Sequence, residues 1–116
     1  MPSGATYPAE GHLRISNEWL NDNATDKNAV IYCQWRDGKN PKHDSTANGR
    51  TGMPRGVMIQ GNSTADGNAA FVRGYLIDET PSDTDDHYLN AGMMHPLRFK
   101  RIYAQGTTAR GVRIYY

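Results

Sequence analysis

Ala69–Ile77 reads AAFVRGYLI, a run that puts Phe71, Arg73, Tyr75 and Ile77 on one side of an extended chain and Val72, Gly74 and Leu76 on the other. Aromatic and β-branched side chains at this period specify a strand, and Gly74 within it marks a bulge or a close backbone approach. Asp66-Gly67 just before it is a strong turn signal. Arg55–Gln60 is the next apolar run upstream, so the two are expected to pair as a hairpin across a loop at 61–68.

Strand-like alternation continues in both directions. Ala29–Arg36, AVIYCQWR, places Ile31, Cys33 and Trp35 on one face and Val30, Tyr32 and Gln34 on the other, which predicts a central strand with both faces covered. Pro96 opens a strand over Leu97–Ala104. Leu97 and Phe99 share a face, but Ile102 falls on the opposite parity, so either both faces are partly covered or a bulge sits near Lys100 and Arg101. After a turn at 105–109, Gly111–Tyr116 closes the chain with Val112, Ile114 and Tyr116 together. The segments are short, Gly, Pro, Asn, Asp and Ser punctuate them densely, and no long helical period intervenes. The expected fold is therefore all-β, a single small β-sandwich or related barrel over 29–116.

Two regions fit this scheme poorly. Residues 1–28 are polar, with one weak alternation at His12–Ile15 and one helical turn over Ser16–Leu20, capped by Ser16, anchored by Trp19 and Leu20 and stopped by Asn21, Asp22 and Asn23. They read as an extended N-terminal arm that lies on a neighbour. Residues 37–54 have almost nothing to bury and contain Asp37-Gly38, Asn40-Pro41 and Asn48-Gly49, which predicts a long loop that is functional or ordered by a partner.

Composition narrows the function. Leu, Ile, Val and Phe number 17 of 116 residues, a fraction that would indicate disorder if the net charge were high, but the net charge is +1. Tyr is frequent at 7, and Tyr suits half-buried sheet faces and interfaces, so part of the stability is expected to come from neighbouring subunits. Acids cluster at Asp78, Glu79, Asp83, Asp85 and Asp86, whereas 88–116 carries Arg98, Lys100, Arg101, Arg110 and Arg113 and no acid. Solvated faces explain this segregation, and so does head-to-tail pairing between copies. No run approaches the length of a membrane span, and Met1–Gly11 has no basic cluster followed by an apolar stretch, so no membrane or export role is expected.

Chemistry is sparsely encoded. Cys33 is the sole cysteine, which excludes an internal disulfide, and its place among apolar strand residues makes it a small buried hydrophobe rather than a nucleophile for His12, His43, His87 or His95. Asp83, Asp85 and Asp86 lack the central Gly and terminal Glu of a helix-loop-helix calcium site. The glycines of 49–67 lack the Lys-Ser/Thr ending of a phosphate loop. Catalysis, a cofactor and a bound metal are not expected. Nucleic acid is not the expected partner, since the basic residues alternate with apolar ones as in an ordinary strand.

Ala91–Tyr116, AGMMHPLRFKRIYAQGTTARGVRIYY, resembles the C-terminal ending of a group of small tailed-bacteriophage virion proteins. The matching positions are Gly92, Pro96, Leu97, Arg98, Phe99, Lys100, Arg101, Ile102, Gly106, Thr107, Thr108, Ala109, Val112 and Tyr116, and the sequence departs at Arg110, Arg113 and Tyr115. The resemblance implies a capsid decoration or cement protein on the virion surface, made in the host cytoplasm and bridging neighbouring capsid subunits. The major capsid protein or another virion protein would be its partner, alongside copies of itself. Trp19, Leu20, Arg50, Arg55, Arg98, Lys100, Arg110 and Arg113 are the expected contact residues. A glycan-binding tail or fibre component and a small nucleic-acid-binding β-barrel are the alternatives.

Overall fold

A computed structural model describes residues 11–33, 44–45, 53–62 and 69–116. Within them the regular structure is almost entirely strand: β1 (His12–Arg14), β2 (Val30–Tyr32), β3 (Asp44–Ser45), β4 (Gly56–Met58), β5 (Gly61–Asn62), β6 (Ala69–Leu76), β7 (Asp85–Asn90), β8 (Phe99–Tyr103), β9 (Ala109–Arg110) and β10 (Arg113–Tyr115). One short helix, α1 (Asn17–Asp22), and a 3-10 turn, Pro81–Asp83, complete the elements. No described helix is long and apolar enough to cross a membrane.

The strands form two four-stranded antiparallel sheets and a ribbon. Sheet I has the order β3-β1-β10-β4, sheet II the order β2-β8-β6-β7, and β5 pairs with β9. In sheet I, Leu13, Ile114 and Val57 stand opposite one another and are wholly buried. Sheet II turns Ile31, Cys33, Ala70, Val72, Leu89, Phe99 and Ile102 to the same core. The Tyr116 hydroxyl crosses between the sheets and donates to the Cys33 carbonyl at 2.5 Å. The fold is thus all-β and sandwich-like, as its alternating pattern predicts.

Local chemistry explains several elements. Ser16 caps α1 by accepting from the Trp19 amide at 3.1 Å, and Ile15 and Leu20, flanking the cap one turn apart, are both in the core. Of the two alternatives for β8, the bulge is the one present: Tyr75 faces Arg101 but Leu76 faces Phe99, so Lys100 is the extra residue. That one residue brings both Phe99 and Ile102 to the inside. Gly74 is a close approach, since a Cβ there would lie 2.1 Å from the Arg101 carbonyl oxygen.

Pairing departs from what the linear sequence suggests at four places. Arg55–Gln60 and Ala69–Ile77 do not form a hairpin, because Val57 joins the Leu13–Ile114 row of sheet I while β6 pairs with β7 and β8 in sheet II. Leu97–Ala104 and Gly111–Tyr116, adjacent in the chain across one turn, do not pair either: β8 belongs to sheet II and β10 to the centre of sheet I. β2 is at an edge of sheet II, with its outward Tyr32 covered by the Arg101 guanidinium 4.5 Å from the ring centroid. Asp85 and Asp86, in the acidic cluster rather than in an apolar run, begin β7, where charge on an edge strand discourages further pairing. The Asp66-Gly67 turn and most of the loop at 37–54 lie outside the described residues, but Asp44 and Ser45 extend sheet I beside Arg14 and Leu13. Of the arm expected over 1–28, residues 1–10 lie outside the described residues, and from Gly11 onward the chain enters sheet I.

Candidate functional site: the outward face of sheet II

Residues opposite one another in antiparallel strands point to the same side, so register defines the outer surface of sheet II. One row holds Val30, Tyr103, Arg73 and Asp86, the next Tyr32, Arg101 and Tyr75, and a third Phe71 and Tyr88. The face is therefore built from five aromatic rings, two arginines and one acid. Phe71 and Tyr88 pack edge to face at 5.0 Å and remain 38% and 63% exposed. Tyr75 and Tyr103 lie 6.5 Å apart. Tyr75 is only 6% exposed, nearly covered within this face, and burial raises its phenol above the ordinary value, partly opposed by the Arg101 guanidinium. Arg73 Nη1 pairs with Asp86 Oδ1 at 3.0 Å, a cross-strand ion pair with both side chains half exposed.

The turn after β8 shapes one margin of this face. The Thr108 amide donates to the Phe71 carbonyl, the Thr108 hydroxyl accepts from the Phe71 amide, and the Thr107 hydroxyl accepts from the Arg73 amide at 2.9 Å. Gly106, at φ +91°, lies so close to Arg73 that a Cβ would meet its Cδ at 2.5 Å. The Gly106-Thr107-Thr108-Ala109 segment thus continues the sheet along β6 where β8 ends.

The basic and apolar residues expected to make contacts are dispersed rather than gathered. Leu20 is 0% exposed and belongs to the core, because the helical turn that displays Trp19 turns Leu20 inward, so contrary to expectation it has no surface to offer a partner. Trp19 is half-buried against that core. Arg110 holds the chain together instead of facing outward: Nε and Nη2 donate to Asn21 Oδ1 at 3.0 and 2.8 Å, and Nη1 donates to the Thr107 and Ala109 carbonyls. Its partial burial lowers the guanidinium pKa. Arg98 is exposed and donates from Nε to the Pro54 carbonyl, which brings it beside the exposed Arg55. Lys100 occupies the bulge of β8, Arg113 faces outward from sheet I, and Arg50 lies outside the described residues.

The acids are likewise separate. Asp83 accepts from the Thr80 amide, Asp85 from the Asp86 amide, and Asp86 pairs with Arg73. Among the described residues no three His, Cys, Asp or Glu side chains gather as a metal site. The aromatic face itself was readable in part: the Phe71, Arg73, Tyr75 alternation is explicit, but its joining to Tyr32, Tyr88, Arg101 and Tyr103 requires the strand order. Comparison with family models, curated proteins and solved structures finds no match for this chain.

Proposed function

We propose that this chain is a structural protein of a tailed-phage virion that decorates and stabilises the capsid by bridging neighbouring capsid subunits, and that the outward face of sheet II makes the contact. One observation carries the reading, namely the grouping of Tyr32, Phe71, Tyr75, Tyr88 and Tyr103 with Arg73 and Arg101 on one sheet surface. Tyr, Phe and Arg are the residue types enriched where proteins meet, since they supply large contact area and a polar tip at small entropic cost. The work is contact, repeated over many copies so that modest interfaces sum to firm attachment. The resemblance of Ala91–Tyr116 to small phage virion proteins supports the capsid as partner.

Co-sedimentation with empty capsids of the encoding phage tests this. The wild-type chain should pellet with shells, and the double variant Phe71→Ser/Tyr88→Ser should remain in the supernatant while its melting temperature stays within a few degrees of wild type. Equal pelleting of the variant would remove sheet II from the interface. Tyr88, the most exposed of these rings, also suits stacking on a sugar, which favours a tail or fibre component as second reading. Binding of the isolated chain on a glycan array, lost in Tyr88→Ser, would select it.

A further inference from the structure

Sheet I carries an unrelated feature on its own outward face. Register aligns Asp44, Arg14, Arg113 and Met58 in one row across β3, β1, β10 and β4. Two arginines therefore stand directly opposite each other, an arrangement that destabilises a sheet unless an anion relieves it. The row's single acid is placed beyond Arg14, so Arg113 has a cation on one flank and a thioether on the other. Arg113 Nε is also buried without a hydrogen-bond partner. Nε is closed to solvent, so a ligand meets the outer nitrogens of this partly exposed side chain, to which a group supplying two oxygens in a plane is the natural complement.

Space for such a group is present. Arg113 lines two pockets at once: one of about 480 Å³ with Met58, Ile59, Ala91 and Gly92, and one of about 220 Å³ with Arg14, Ser16, Asn17 and Gln60. The first offers apolar wall, the second polar atoms and the second arginine.

We propose that Arg113, with Arg14 beside it, binds an oxyanion, a carboxylate or a phosphate, carried on a small apolar body. The oxyanion bridges the two guanidinium groups, and the apolar body occupies the pocket over Met58 and Ala91. This site is on the sheet opposite the contact face and does not depend on the capsid reading.

Titration of the full chain with phenyl phosphate, benzoate and neutral benzyl alcohol, followed by amide chemical shifts, tests the site. Both anions should perturb Gly92 and Gly111, and benzyl alcohol should bind at least about tenfold more weakly, as expected when charge-assisted hydrogen bonds hold the ligand. Tighter binding of phenyl phosphate assigns a phosphate source, and tighter binding of benzoate a carboxylate source. R113Q should weaken both anions about tenfold or more, and R113K should fail to restore them because an ammonium lacks the planar fork. R14Q, at an exposed position where folding is not at stake, should weaken both severalfold and so decides the matter if R113Q proves unfolded. Absence of shifts with either anion, equal binding of benzyl alcohol, or undiminished binding by R14Q and R113K would overturn the proposal.

Discussion

Where β6 runs past the end of β8, the amides of Phe71 and Arg73 find threonine hydroxyls in place of strand carbonyls. Thr107 is 5% exposed, and its Oγ1 both accepts from the Arg73 amide and donates to the Tyr103 carbonyl at 2.6 Å. Thr107→Val keeps the shape and orphans both groups, so it should cost about 1–3 kcal/mol in urea denaturation, with Thr107→Ser close to wild type. Gly74→Ala forces a methyl onto the Arg101 carbonyl and should destabilise by about 2–4 kcal/mol or prevent folding, read by the same titration. Tyr116 gives a pH signature. Burial, reinforced by the nearby Cys33 thiol, holds its phenol far above the ordinary 10.0, so the folded state keeps a proton that the unfolded chain releases. Its contribution is complete below pH 10 and declines as pH rises beyond it. Melting temperatures from pH 8 to 11 should fall along the alkaline limb, and Tyr116→Phe should shallow that fall while lowering stability at pH 8, since Cys33 loses its donor.

At six residues, α1 is too short to persist without tertiary support. Its support is identifiable: the Ser16 cap, Ile15 and Leu20 in the core, and Asn17 and Asn21, one turn apart, which accept from the Gly111 amide and the Arg110 guanidinium. The helix is thereby fastened to the β9–β10 corner by residues some ninety positions away. Arg110→Ala should cost about 1–2 kcal/mol, the range for a partly exposed charged donor with several acceptors, and Arg110→Lys should not restore it. Amide hydrogen exchange at Trp19 and Leu20 should rise in the same variant, locating the loss at α1. Of this element, the cap and the helical turn were legible at Ser16–Leu20. The fastening was not, because asparagine spacing does not identify a partner at Arg110.

Across the molecule, the two sheets divide the surface into an aromatic face on sheet II and an arginine row on sheet I. Charge on the aromatic face is nearly balanced, with Arg73 paired to Asp86 and Arg101 over Tyr32. The proposed capsid attachment through it should therefore change little between about 0.1 and 1 M salt, over which the screening length falls from about 10 to 3 Å. A steep loss in co-sedimentation over that range would point to nucleic acid instead. The basic residues of 88–116 look like one patch in linear order, yet the fold sends Arg98 beside Arg55, Arg110 to α1 and Arg113 to sheet I.

Alternation of side chains is a property of the strand alone, and it was enough to decide that the chain is all-β, that Ile31 and Cys33 share the inside, and that Val112, Ile114 and Tyr116 do too. The parity break between Phe99 and Ile102 left two alternatives, both faces partly covered or a bulge near Lys100 and Arg101, and only the register decides for a bulge at Lys100. Period two says which way a residue points and is silent on which strand lies beside it. Pairing of Leu13 with Ile114, or of Arg73 with both Asp86 and Tyr103, was settled only when distant apolar rows closed over one core, since burial rewards any neighbour that excludes water.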